Sequence, residues 1–364
     1  MRDVLRSLIE LLDGDAARPV ALCRVIGTSG SAPREVGSAM IVTADDIVIG
    51  SVSGGCVESA LVHSAREVLT SGTAVVEHYG VDDPDDPAPG LTCGGQIEVL
   101  VEPVAPTEER RRHLSRLATA LDADEPVAWA TTLTDEPDWH LATQAARTPW
   151  LRLDRDVADL LTTGRSGLIG VDDCDAPSGE RPRTFVQTFA PPARLILVGA
   201  NDFVRALSSL GASLGMRVTV VDARPVFATA ARFPDADEVV VAWPDRYLTD
   251  QLREGSISST TSVCVMTHDP KFDVPTLGIA LASEQFGFIG ALGSRRTVDD
   301  RNRRLREAGV AETHLARLRS PLGLDLGGHT PGEVAVAIAA QLIAERHDAS
   351  ATPLHTGDGP IHRR

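Results

Sequence analysis

Arg194-Leu195-Ile196-Leu197-Val198-Gly199-Ala200-Asn201-Asp202-Phe203-Val204 reads as a short strand of unbroken apolar residues that turns through a glycine into a helix. A strand without polar alternation suits a parallel sheet, because such a sheet is covered on both faces. The same signal recurs at Val218–Val221, Glu238–Ala242, Val263–Met266 and Phe286–Ile289, with helical stretches between. Strand and helix alternating in this way predict a Rossmann-like doubly wound parallel sheet over residues 193–346. Its closing helix is marked at the start by Thr330, which can cap it, with Pro331 at the first helical position and Glu333 reaching back. Val334, Ile338 and Leu342 form its apolar stripe.

Upstream the pattern is less regular. Val4, Leu5, Leu8, Ile9 and Leu12 keep helical spacing, and apolar strands are expected at Val20–Ile26, Ala39–Thr43 and Ile47–Val52, the last two joined by a turn at Asp45-Asp46. A helix over Cys56–Leu69, strands near Thr73–His78 and Gln96–Val101, and a helix from Thr107 complete an N-terminal mixed α/β domain over residues 1–172. Asp82-Asp83-Pro84-Asp85-Asp86-Pro87 reads as an exposed loop. Residues 173–192, rich in proline, glycine and charge, read as a linker, and 347–364 as a flexible tail.

A chain of 364 residues is long enough for two such domains. Its formal net charge of −16 would repel nucleic acid and anionic membrane surfaces. No apolar run reaches the roughly 18 residues of a transmembrane helix, and Met1–Asp13 is amphipathic rather than a secretion signal, so a cytoplasmic location is expected. Five cysteines without a CxxC pair fit reduced thiols better than a disulfide framework or a structural zinc site.

Four places can carry chemistry. At the turn after Val198, of the three glycines of a dinucleotide fingerprint only Gly199 is present; Asn201 and Val204 stand where the other two belong. The turn is therefore either a structural βαβ unit or a weak nucleotide site, in which Asp222, ending the next strand, can still meet a ribose hydroxyl. Gly293-Ser294-Arg295-Arg296 follows a strand and opens a helix. It is either an anion site, with N–H groups and guanidiniums facing a phosphate, or a capped helix whose arginines pair with Asp299 or Asp300.

The third place is a pair of glycine-flanked thiols, Gly54-Gly55-Cys56 and Cys93-Gly94-Gly95, where a helix start favours thiolate and glycines admit a bulky ligand. Cys56 and Cys93 can equally be small buried hydrophobes; Cys23 and Cys264 lie inside apolar strands, and Cys174 in the linker. Fourth, Thr267-His268-Asp269 ends a parallel strand, where His268 is either an acid–base residue or a loop hydrogen-bonder. Arg34, behind Gly30-Ser31-Ala32-Pro33, can meet an anion.

Taken in order, Gly30-Ser31-Ala32-Pro33-Arg34, the run from Gly50 to Glu58, Cys93-Gly94-Gly95 leading to Glu102-Pro103, Thr267-His268-Asp269, Gly293-Ser294-Arg295-Arg296 and Thr330-Pro331-Gly332-Glu333-Val334-Ala335 resemble the XdhC/CoxI family from about residue 18 to 346. The resemblance implies a non-catalytic accessory protein, or chaperone, for xanthine-dehydrogenase-like molybdenum hydroxylases. Such a protein would bind molybdenum cofactor (molybdopterin), assist its sulfuration and deliver it to the hydroxylase apoprotein; a cysteine desulfurase as a further partner and a homodimer are open expectations that no residue pattern argues. Cys93 or Cys56 would suit the soft molybdenum end, and Arg295 with Arg296 the phosphate. Where the family carries a fuller glycine turn, this chain has Asn201-Asp202-Phe203-Val204. Two other readings stand beside this one: an NAD(P)-dependent oxidoreductase using His268, and a sulfur carrier holding persulfide on Cys93 or Cys56.

Overall fold

A computed structural model describes residues 1–14, 17–32, 34–80, 94–143, 154–170 and 183–356. The expected loop over Asp82–Pro87, most of the linker and the end of the tail lie outside the described residues. The chain divides into two compact units, one within Met1–Pro191 and the other within Pro192–Gly357.

The first unit runs α1 (Arg2–Leu12), β1 (Val20–Ser29), β2 (Ala39–Thr43), β3 (Val48–Gly50), α2 (Glu58–Ser71), β4 (Val75–Tyr79), β5 (Gln96–Val104), α3 (Glu108–Asp122), β6 (Val127–Thr132), β7 (Trp139–Thr143), α4 (Asp154–Thr163), β8 (Gly167–Ile169) and β9 (Thr184–Phe189). Its strands make two antiparallel sheets, in the orders β3-β2-β1-β5-β4 and β7-β6-β9-β8. β1 is buried on both faces. Val20 and Leu22 join α1, α3 and Trp129 in one core cluster, while Ala21, Cys23 and Val25 pack with Leu61, Ala65 and Val68 of α2 in another.

The linker expectation is corrected at its end: Thr184–Phe189 is β9, the partner of both β6 and β8. Proline and charge on its upstream side mask a strand whose alternate residues bury Phe185 and Phe189.

β1 also carries Arg24 at 0% exposure. Its guanidinium donates to Glu102 Oε1 at 2.6 Å and to Thr131 Oγ1 at 2.7 Å and lies 4.3 Å from the centre of the Trp129 ring. Trp139 Nε1 donates to the other oxygen of Glu102 at 2.8 Å. A buried charge is tolerated only when paired and hydrogen-bonded; here the pair lies within one sheet, and its bonds to Thr131 and Trp139 reach the other.

The second unit runs β10 (Arg194–Val198), α5 (Asp202–Ser213), β11 (Arg217–Asp222), β12 (Glu238–Val241), α6 (Pro244–Arg253), β13 (Thr261–Val265), α7 (Pro270–Ala282), β14 (Phe288–Ala291), α8 (Arg295–Glu307), α9 (Glu312–Leu315), β15 (Leu318–Arg319) and α10 (Pro331–Arg346). All six strands are parallel, in the order β12-β11-β10-β13-β14-β15. This is the doubly wound arrangement expected from the sequence. α5 and α10 pack on one face, α6, α7 and α8 on the other. The capping box at Thr330 and Glu333 forms as expected. The strand order reverses between β10 and β13, so the carboxyl ends of these strands border the crevice where open α/β sheets bind ligands.

Candidate functional site

At the end of β10 the backbone of Gly199 has φ +118°, and a Cβ there would stand 2.8 Å from Thr267 Cγ2. Only glycine fits such a position. Asn201 caps α5, accepting from Val204 N at 3.1 Å, and its Nδ2 donates to Met266 O at 2.9 Å. Its side chain therefore ties the end of β10 to the end of β13 across the switch point, where a dinucleotide would need bare backbone. Asp222, 2% exposed, is also engaged: Arg224 grips it with Nε to Oδ1 at 2.9 Å and Nη2 to Oδ2 at 2.7 Å. The carboxylate expected to meet a ribose hydroxyl already holds a bidentate partner.

The next crevice along, at the ends of β13 and β14, is a pocket of about 340 Å³ lined by His268, Asp273, Arg296, Thr297, Arg301 and Arg304, among others. Ser294 caps α8, accepting from Thr297 N at 3.3 Å, so the first-turn N–H groups and Arg295 and Arg296 begin the helix as the sequence suggests. Arg295 and Arg296 are exposed and make no ion pair among the described residues; Asp300 instead binds Arg303 and Arg304. Arg296 lines the pocket.

Beneath it lies a pair that sequence reasoning missed. Arg301, 3% exposed, donates to Asp273 Oδ2 at 3.0 Å, to Leu292 O at 2.7 Å and to Ser320 Oγ at 3.0 Å, while Thr267 Oγ1 donates to the other oxygen of Asp273. Burial pushes the Asp273 carboxyl up, against the downward pull of Thr267 and Arg301. His268 shares this pocket with Asp273 rather than with its chain neighbour Asp269, which caps α7 and pairs with Lys271. An aspartate among Phe272, Leu277 and Ala280 on a buried helical stripe was the available signal.

In the first unit the run after Gly50 closes around one carboxylate. Glu58 accepts from the backbone N–H groups of Val52, Ser53, Gly54 and Gly55 at 3.3, 2.9, 3.1 and 2.8 Å, and from the hydroxyls of Ser51 and Ser53. Burial works against its charge, but hydrogen bonds from Ser53 and Ser51 and the backbone outweigh it and hold the carboxyl at about 2. Gly54 and Gly55, with φ +79° and +119°, bend the chain so that their amides converge on Glu58. Cys56 is half-buried just before α2, which begins at Glu58 rather than at Cys56, and its N–H donates to Ser53 Oγ at 3.0 Å.

Other predicted residues gather nearby. A Cβ on Gly95 would lie 2.6 Å from the Ser31 carbonyl, so the loops after β1 and before β5 touch. Ala32 and Cys56 pack on the same apolar cluster. Gly94 is exposed at φ +70°. Pro33, Cys93 and Cys174 lie outside the described residues. Arg34 is exposed on a separate pocket of this unit. Cys23 and Cys264 are core thiols, each pushed by burial to about 12.

Comparison with known proteins agrees with this fold. Residues 195–342 match a family model described as the XdhC Rossmann domain, and residues 15–80 one described as the XdhC and CoxI family. A protein of Bacillus subtilis (strain 168), named as a probable xanthine dehydrogenase subunit, is 28% identical, over 89% of this chain and 92% of its own. The molybdenum cofactor insertion chaperone PaoD of Escherichia coli (strain K12) is 26% identical over 95% of this chain and 88% of its own. A crystal structure of a xanthine dehydrogenase from Bacillus halodurans superposes with TM-score 0.70 at 28% identity, covering 97% of this chain and 98% of that one.

Proposed function

Because the chain belongs to the XdhC and CoxI family, we propose that it is an accessory protein that binds molybdenum cofactor and assists its sulfuration and insertion into a xanthine-dehydrogenase-like hydroxylase, without being the hydroxylase. The names of its relatives support this: one is a cofactor insertion chaperone, another a probable xanthine dehydrogenase subunit. The observation that carries the reading is the cationic pocket at the ends of β13 and β14.

The donor set there fits the phosphate end of the cofactor. Arg301 is consumed by Asp273 and Arg304 shares Asp300, which leaves Arg296, the first-turn amides of α8 and His268 to face an anion. In the first unit, Cys56, held by the Glu58 loop, and Cys93 are thiols whose chemistry suits a soft metal. Bound cofactor supplies a dithiolene-held molybdenum; the protein's part is to hold it and to present it. The hydroxylase apoprotein and a cysteine desulfurase are the partners of this reading, in the cytoplasm, with the chain acting as a homodimer.

The oxidoreductase alternative loses ground at Asn201 and Asp222, which are already bonded to Met266 and Val204 and to Arg224. Molybdenum and released-pterin analysis of the full chain from a cofactor-producing host tests the proposal. Wild type should carry stoichiometric cofactor, and Arg296→Ala and Cys93→Ala should lose most of it. A wild type free of cofactor that binds NAD(P) would overturn it.

A further inference from the structure

A second cavity, in the first unit, borders the start of the Glu58 loop at Gly50 and Ser51, but its charged groups have no part in the scheme above. It measures about 570 Å³ and is walled by the turn Arg34–Ser38, the α4–β8 turn Gly164–Ser166 and β9 from Gln187 to Phe189. Arg2, Arg34 and Arg165 line it, against Asp3 and Glu35. In a chain of net charge −16 a pocket with more guanidinium than carboxylate is a local reversal.

Two of these arginines are uncommitted. Arg2 is anchored, donating to Ala190 O at 2.8 Å, with its guanidinium 5.8 Å from the centre of the Phe189 ring. The Arg34 and Arg165 side chains are exposed and make no hydrogen bond or ion pair among the described residues. The wall between them is built rather than incidental. Gly37 has φ +92°, and a Cβ there would meet Gln187 Nε2 at 2.5 Å, the atom that donates to Gly37 O at 2.7 Å. That bond orients the amide of Gln187, which is 5% exposed, and leaves its Oε1 buried without a donor among the described residues. A buried acceptor of this kind is costly unless something supplies a proton to it.

We propose that this pocket binds a tetrahedral oxyanion of the phosphate type, with Arg34 and Arg165 on its charged oxygens and Gln187 accepting from a protonated oxygen of the same group. Two guanidiniums and one amide carbonyl match hydrogen phosphate or a singly protonated phosphate monoester, which offers acceptors and one O–H donor together. The site is independent of the pocket at α8, and the inference does not rest on the cofactor-handling reading.

The test is calorimetric titration of the full chain with inorganic phosphate and, separately, with ribose 5-phosphate as a simple monoester, in wild type, Arg34→Ala, Arg165→Ala and Arg296→Ala. Hydrogen exchange of the Val36–Ser38 and Thr188 amides locates the bound anion. Each of Arg34→Ala and Arg165→Ala should weaken binding at this site by about tenfold or more, the scale of a lost charge-assisted contact, while Arg296→Ala leaves it intact. Tighter binding of ribose 5-phosphate assigns the site to the phosphate of a larger ligand, and tighter binding of inorganic phosphate to the free oxyanion. Both variants remove exposed side chains without partners among the described residues and should fold as wild type, checked by circular dichroism. Binding unaffected in both, or no phosphate protection of Val36–Ser38, overturns the proposal. Cofactor retention in the Arg34→Ala variant, measured by released pterin, separates its failure from that of the accessory-protein reading.

Discussion

Replacing Glu58 by glutamine should loosen the Ser51–Gly55 loop that holds Cys56. The wild-type carboxylate accepts from four backbone N–H groups and two hydroxyls; a glutamine of the same shape keeps one acceptor oxygen and turns an NH₂ toward donors such as Gly55 N. The carboxyl is held at about 2 against an ordinary 4.5. At about 1.4 kcal/mol per tenfold in proton affinity this is roughly 3 kcal/mol. Water reaches this loop, and screening brings the figure down to about 1–2 kcal/mol. Local opening should therefore become about 5- to 30-fold more frequent, read as lower hydrogen-exchange protection of the Ser53, Gly54 and Gly55 amides at pH 7. Because the folded carboxyl is depressed, its contribution is complete above 4.5 and fades as pH falls toward 2, so wild-type protection should drop across that window while Glu58→Gln stays flat. Equal protection in the two proteins at pH 7 would refute the reasoning.

Two further outcomes concern the core of the first unit. Glu102→Ala strands the Arg24 guanidinium at 0% exposure and should destabilise the unit by about 3–5 kcal/mol in urea unfolding, against little change if Arg24 finds water instead. His113, whose ring lies 5.3 and 5.2 Å from those of Trp129 and Trp139, is pushed by burial and then by Arg110 down to about 3. The unfolded chain takes up that proton near 6.5 and the folded one does not, so stability should fall from pH 6.5 toward 3 by up to about 4 kcal/mol, and His113→Phe should flatten that slope. A slope unchanged in the variant would assign the acid loss to other groups.

The parallel sheet was legible because its inner strands are apolar runs buried on both faces, whereas the edge strands β12 and β15 are only partly buried; the identity of β10 follows from Leu195–Val198 alone. The antiparallel unit was less so. β9 hides behind a proline-rich approach, and the burial of Arg24 and Glu102 is explained only by their pairing between β1 and β5 and their bonds to Thr131 and Trp139 of the other sheet. The family motifs fall on the α8 pocket and the Glu58 loop, but they do not tell which groups meet there. His268 and Asp269 are neighbours in sequence, yet the carboxylates lining the pocket of His268 are Asp273, one turn into α7, and Asp300 of α8.

By itself the amino-acid sequence determined whatever depends on local pattern: the strand-and-helix alternation, the cap at Thr330, the helix start at Thr107, the burial of Cys23 and Cys264, and the missing glycines at Asn201 and Val204. Only the tertiary structure decided which groups meet across long stretches of chain. Asn201 closing on Met266, Arg301 on Asp273, and Gln187 on Gly37 are all such pairs. Side-chain direction and the return of distant strands set those meetings, and neither is encoded in the spacing of residues along one segment.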